Sequence, residues 1–209
     1  HTRTDGTRWK PLRTSRDGWL RIFLGGLLWS QAPIAGGTTI TESFNTADSD
    51  ILGPDLSWTE LASDIDVVSN EARTTGTALS RARADTDLAT DDHYVQASIT
   101  ATGAGATRQA SVIARKDSTT TNTFYRFIAR WQSDVVAIGK VVAGTSTQLD
   151  SVAFTLVEGT YYTLKGTVDG SALELFMDGV SKLTATDTDV TANLRTGIEG
   201  QNNRTGETS

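Results

Sequence analysis

Between residues 160 and 185 the chain reads as three strands separated by two Asp-Gly pairs. Thr160 to Val168 is followed by Asp169-Gly170, Ser171 to Met177 by Asp178-Gly179, and the run closes with Val180 to Ala185. Asp-Gly suits two-residue hairpin loops because both central positions can take positive φ at little cost. Strands joined so tightly can only be antiparallel neighbours, which excludes a helical or parallel α/β fold for this part of the chain. Within the run, Leu173, Leu175 and Met177 alternate with polar Glu174, so the three apolar side chains are expected in a core and Glu174 opposite them.

The same period of two recurs upstream. Val95, Ala97 and Ile99 alternate with Gln96, Ser98 and Thr100, and Ile65 to Val68, Ala110 to Arg115, Asp134 to Val142 and Gln148 to Phe154 read as further strands. The turns between them are expected at Gly103-Ala104-Gly105, in the threonine-rich stretch Asp117 to Asn122 and at Gly144-Thr145. A chain of 209 residues without cysteine is long enough to bury such a core with no disulfide help. The expected class is all-β, an antiparallel β-sandwich.

Phe124 to Trp131 carries the most chemistry. Phe124, Arg126, Ile128 and Arg130 fall on one side, while Tyr125, Phe127, Ala129 and Trp131 fall on the other. The arginine side is expected to meet solvent. With Lys140 on a neighbouring strand, Arg126 and Arg130 form a basic face suited to a glycan, to which Trp131 adds a stacking surface if its strand twists outward. The plainer alternative is a solvated face of cross-strand pairs.

The first 37 residues differ in character. Residues 1 to 39 hold Arg3, Arg8, Lys10, Arg13, Arg16 and Arg21 against only Asp5 and Asp17, although the whole chain has a net charge of −6. That overall charge argues against nucleic acid as the main partner, since phosphate neutralisation needs clustered Lys and Arg. The segments D-G-T-R-W (Asp5 to Trp9), R-D-G-W-L-R (Arg16 to Arg21) and G-G-L-L-W (Gly25 to Trp29) read as short hairpins, each presenting a tryptophan. Isolated hairpins are marginal in water. The arm is therefore expected either to pack on the sandwich or to dock on a neighbouring subunit through Trp9, Trp19, Arg21, Phe23 and Trp29, residue types enriched at interface hot spots. The apolar run Trp19 to Trp29 is interrupted by Arg21 and falls short of the roughly 20 residues of a membrane span. A linker, Gln31 to Gly37, sets the expected boundary between arm (1–37) and sandwich (38–209).

Two resemblances follow from these motifs. Over residues 5 to 29 the tandem pattern R-x-G-G-x-W resembles segments of minor tail proteins of tailed bacteriophages. The stretch F-N-T-A-D-S (Phe44 to Ser49), with Leu52-Gly53 and Trp58, resembles the opening F-x-R-A-D-S-x-x-L-G-x-x-W of concanavalin A-like (laminin-G-like) jelly-roll modules, with Thr46 in place of the usual arginine. Together they imply a jelly roll from about Glu42 to Gly200 on a structural virion component, a tail or tail-tip part that is homo-oligomeric, contacts other virion proteins and possibly a host surface glycan. The readings left open are a secreted or surface carbohydrate-binding module and a capsid decoration protein. The second resemblance also implies a first strand at Thr38 to Phe44 and a last strand returning to pair with it. Here Leu194 to Ile198 is followed only by the polar G-Q-N-N-R-T-G-E-T-S, so the Phe44 strand is expected to show an open edge that a continuation or a neighbour covers.

No catalytic set is expected. A retaining glycanase needs two carboxylates roughly 5 Å apart, and Glu60 with Asp64 and Asp66 only vaguely resembles such a motif. His1 and His93 lack partners at ligand or triad spacing. Asp85, Asp87, Asp91 and Asp92 share one stretch without the ordered alternation of a calcium loop, so a solvated turn is expected there rather than a metal. No cofactor is expected.

Overall fold

The computed structural model describes residues 20–22, 39–62, 65–74, 78–102, 107–119 and 122–203. Their strands are β1 (Leu20–Ile22), β2 (Trp58–Ala62), β3 (Ile65–Val67), β4 (Ala72–Thr74), β5 (Ser80–Ala84), β6 (His93–Ala101) and β7 (Thr107–Lys116). Then follow β8 (Phe124–Arg130), β9 (Val135–Val142), β10 (Thr145–Ala153), β11 (Tyr162–Asp169), β12 (Ala172–Met177), β13 (Val180–Thr186) and β14 (Arg195–Asn203). They form two seven-stranded sheets, β13-β12-β11-β6-β1-β4-β3 and β10-β9-β8-β7-β14-β5-β2. Every described pairing is antiparallel, so the chain is an all-β sandwich as its periodicity requires.

The β11–β12–β13 meander forms where the Asp-Gly pairs place it. Asp178 (φ 51°) and Gly179 (φ 78°) close the second hairpin with left-handed backbone. The first closes one residue later than expected: Asp169 pairs with Ala172 and the loop is Gly170-Ser171. Leu173, Leu175 and Met177 are buried, as their alternation with Glu174 dictates. They meet Tyr125, Phe127, Ala129 and Ile138 of the opposite sheet in one core. The two sheets come closest at Gly166 on β11, where a Cβ would lie 2.0 Å from Cδ2 of Phe127 on β8. Only glycine admits that ring.

Three expectations are corrected. The expected strand from Thr38 to Phe44 does not form among the described residues: of residues 39–45 only Ile40 makes a bridge, 41–45 belong to no strand, and Phe44 has φ 49°. The cause is Glu42, fully buried, whose carboxylate accepts from the backbone N–H of Phe44 (2.9 Å) and Leu56 (3.0 Å) and from the Trp58 indole (3.1 Å). Satisfying a buried carboxylate in this way wraps the chain around it instead of extending it. There is consequently no Phe44 strand edge to cover.

Residues 200–203 of the polar C-terminal stretch are also paired in a sheet. Gly200, Gln201, Asn202 and Asn203 extend β14, pairing with β7 from Ala110 to Thr107, and β14 occupies an inner position between β7 and β5. A ladder uses backbone groups, so polar side chains do not exclude it. Finally, Leu20–Ile22, from the segment read as an arm, lies in the first sheet between β6 and β4, with Arg21 opposite Thr100 and Arg73. Trp9, Trp19, Phe23 and Trp29 lie outside the described residues.

Candidate functional site

Inward-facing Tyr125, Phe127 and Ala129 turn Arg126, Ile128 and Arg130 to the outer face of the second sheet. Register then decides their neighbours. Arg126 sits opposite Ile113 on β7 and Gly139 on β9; Ile128 opposite Ser111 and Ala137; Arg130 opposite Gln109 and Val135. The rows continue onto β14 and β5, where Ser111 faces Glu199, Glu199 faces Arg81, and Gln109 faces Gln201. The floor of this face is thus small residues, with arginine, glutamine and one glutamate above it.

Glu199 is 0% exposed and is the hub. Its Oε2 accepts from Arg81 Nε (2.9 Å) and Nη2 (2.5 Å), and its Oε1 from Arg126 Nη1 (3.0 Å) and Ser111 Oγ (3.4 Å). Arg126 also donates to Ser146 Oγ of β10 (2.6 Å), reaching across β9 at Gly139, where a Cβ would stand 3.4 Å from its Nε. Arg130 donates to Gln148 Oε1, also on β10, at 2.8 Å. At the other end Arg81 lies over the Phe124 ring, 4.7 Å from its centroid, a cation–π contact that holds it flat against the sheet.

Positive charge is in surplus here. Arg81, Arg126 and Arg130 share the single carboxylate of Glu199, and neither described bond of Glu199 goes to Arg130. Burial, and then the charge of Arg126, holds the Arg130 guanidinium below its ordinary value, with Glu199 opposing more weakly. Nearby, burial followed by the charges of Arg83, Arg81 and Arg195 pushes the Lys116 amine down to about 8. Arg126 Nε has no hydrogen-bond partner among the described residues, and the Gln109 amide has none either.

The remaining candidates fall elsewhere. Trp131 is 4% exposed and packs in the core at a short 3-10 turn, so it offers no stacking surface. Lys140 faces the opposite way from Arg126, because the β8–β9 register sets it against inward-facing Tyr125; it pairs with Asp187 (2.5 Å) and Asp189. Tyr125 Oη donates to the same Asp187 at 2.8 Å. Of the vague carboxylate motif, Glu60 is on β2 in one sheet, Asp66 on β3 in the other, and Asp64 outside the described residues. His93 is 1% exposed and accepts from the Arg115 backbone N–H at Nε2 (3.3 Å); burial pushes its imidazole down to about 4.

The Asp85 to Asp92 stretch is neither a metal loop nor merely solvated. Asp85 binds Arg83 (2.8 Å), Asp87 binds Arg195 (2.6 Å), Asp92 binds Arg115 (2.7 Å) and Asp91 accepts from the Ala192 N–H (3.0 Å). No cluster able to hold a metal ion occurs among the described residues.

Arg81, Gln109, Ser111, Gln148 and Glu199 are the members that sequence reading missed. One signal was present: S-R-A-R-A (Ser80 to Ala84) alternates Arg with Ala at the strand period, marking Arg81 and Arg83 as neighbours on one outer face. Nothing local in E-G-Q-N-N singles out Glu199. A separate cleft of about 720 Å3 runs along β2 and the loop before it, lined by Ile51, Leu56, Trp58, Asp50 and Glu60 among others. The Trp58 ring is tilted on Phe44 at 5.9 Å and its N–H is held by Glu42, so the ring is fixed rather than presented.

Neither a family model nor a curated protein sequence matches the chain. In structure it is similar to a carbohydrate-binding module of Bacillus subtilis, CBM66, with TM-score 0.62, 16% identity and coverage of 69% of this chain and 92% of that one. It is similar to the Crh5 transglycosylase (TM-score 0.53, 14% identity, 82% of this chain and 71% of that one). It also resembles the carbohydrate recognition domain of Emp47p (TM-score 0.51, 10% identity, 91% of each chain). The fold is an antiparallel β-sandwich jelly roll like theirs. At such identities the likeness speaks for the fold alone, and binding modules and an enzyme stand side by side on it.

Proposed function

We propose that this chain is a carbohydrate-binding module whose site is the outer face of the second sheet around Arg130. The observation that carries the reading is the row Gln201–Gln109–Arg130, flanked by Gln148 and Ser146 of β10, in which Arg130 makes one hydrogen bond and the Gln109 amide none. The Arg130 guanidinium and the Gln109 amide, with donors unused among the described residues, suit the paired hydroxyls of a sugar ring. The fold supports the reading, since a carbohydrate-binding module and a carbohydrate recognition domain share it.

Binding is favoured over cleavage because the carboxylates of this face are already engaged. Glu199 is held through both oxygens by Arg81 and Arg126, and Asp85 by Arg83 and Arg195, so neither is placed to protonate a leaving oxygen or attack a sugar. A glycan array probed with the full chain tests this reading. Arg130→Gln is expected to weaken the strongest signals on the order of tenfold, as loss of a charge-assisted contact does. If Trp58→Leu abolishes binding while Arg130→Gln leaves it intact, the site is the cleft along β2 and the assignment to this face is wrong.

Docking of the module on a larger particle, such as a phage tail, is a second reading, supported by the six cations and three tryptophans of residues 1–37. Removing that segment would also remove β1, so point changes are the proper test. Trp9→Ala with Trp29→Ala is expected to prevent incorporation into particles while leaving glycan binding unchanged; normal incorporation would sink the docking role.

A further inference from the structure

The glycan reading leaves open what kind of saccharide the face takes, and its charge distribution bears on that directly. Among the described residues Arg130 has no ion-pair partner within bonding distance; Glu199 acts on it only through its charge. The one described hydrogen bond of Arg130 goes to a neutral amide, Gln148. The nearest carboxylate on the same face, Glu199, is occupied on Oε2 by Arg81 and on Oε1 by Arg126 and Ser111. Several other acids around the second sheet are ion-paired: Asp85 with Arg83 and Arg195, Asp87 with Arg195, Asp117 with Lys116, Asp187 and Asp189 with Lys140.

A half-buried cation whose nearest carboxylate is shared with two other arginines is costly, and on an interior strand it gains from an arriving anion. An arginine fork matches a planar carboxylate bidentately with charge assistance, which a hydroxyl-only ligand cannot offer. Arg126, held by Glu199 and Ser146, keeps its position and adds a second positive field beside the first.

We propose, resting on the glycan reading above, that this face binds an acidic saccharide, with the carboxylate of a uronic acid unit set against the guanidinium of Arg130. Gln109, opposite Arg130 and with an unused amide, takes hydroxyls of the same or the next ring; Gln148 and Ser146 border the site on the other side. An acidic peptide is a poorer fit. Peptides add to a free strand edge or fill apolar slots, whereas Arg130 lies on β8, paired on both sides by β7 and β9. The acidic net charge of the whole chain, −6, does not oppose this at contact range, since charges beyond a Debye length of about 8 Å at physiological salt are largely screened.

The test is calorimetric titration of the full chain with oligogalacturonate and oligoalginate, with the carboxyl-reduced neutral form of each, and with oligoglutamate. The expected result is that at least one polyuronate binds on the order of tenfold more tightly than its reduced form, that rising salt narrows the gap, and that Arg130→Gln weakens the polyuronate more than the reduced form and so removes the preference. Equal or tighter binding of the reduced forms overturns the acidic ligand and leaves the glycan reading standing. Oligoglutamate binding as tightly as the polyuronates overturns the saccharide class, making the face a general anion patch. Binding of none of these, together with a blank neutral array, overturns both readings. Gly139→Ala provides a further check on placement, because its Cβ would crowd the Thr147 carbonyl of β10 at 3.1 Å and abut Arg126 Nε at 3.4 Å; it is expected to weaken acid binding less than Arg130→Gln does.

Discussion

Glu199 shows how much one residue can organise. Its carboxylate, without any exposure, holds two guanidiniums from different strands and thereby sets the geometry beside Arg130. Removing it leaves Arg81 and Arg126 facing each other with little solvent access. Glu199→Ala is therefore expected to cost about 3 kcal/mol, the lower end for a broken buried ion pair. Urea denaturation measures it, and a loss well under 1 kcal/mol would show that the two arginines find other partners. Arg126 and Arg130 were legible as one face because strand alternation alone fixes their parity. Lys140 was not, since parity within a strand does not tell which residue of the next strand stands opposite. Trp131 failed for a related reason: continued alternation puts it on the same side as Phe127, which is the core.

At the scale of the element, the meander β11 to β13 was readable almost to the residue, because its turns carry their own backbone signal. The loop from Glu42 to Trp58 was readable as a motif but not as a shape. The resemblance it carries implied a strand ending at Phe44, and the buried Glu42 carboxylate overrode that by collecting N–H donors from Phe44, Leu56 and Trp58. Contact between sheets is equally invisible in sequence. Gly166 reads as a weak strand residue, yet it makes room for Phe127. Gly166→Ala is expected to destabilise by roughly 1 to 3 kcal/mol through overpacking, and Phe127→Leu in the same chain should recover part of that loss in thermal or chemical denaturation. Additive losses would mean the two residues do not meet.

The whole molecule should lose stability toward acid in two stages. His93, buried where Arg115 and Asp91 meet the start of β6, has its imidazole held down to about 4 from 6.5. Between those values the unfolded chain binds a proton that the folded chain does not, so stability falls as pH drops from about 6.5 to about 4, by about 3 kcal/mol. Asp85 and Asp187 are held below 3.8, the first against burial by Arg83, Thr59 and Arg195, the second by Lys140, the Asp189 N–H and Tyr125, so their contribution disappears only at still lower pH. Denaturation midpoints from pH 7 to pH 4 check this, and His93→Gln is expected to flatten the upper stage; an unchanged slope would assign it to other groups.

The sequence by itself determined that this chain is antiparallel β and which side chains of each strand lie on the same side. Both follow from local chemistry: positive-φ turn residues and a side-chain period of two. Only the tertiary structure decided that β14 sits inside the second sheet and that Glu199 stands between Arg81 and Arg126, leaving Arg130 without an ion pair among the described residues. Those depend on register between strands far apart in the chain, where a slip of one residue would send every side chain of a strand to the opposite face.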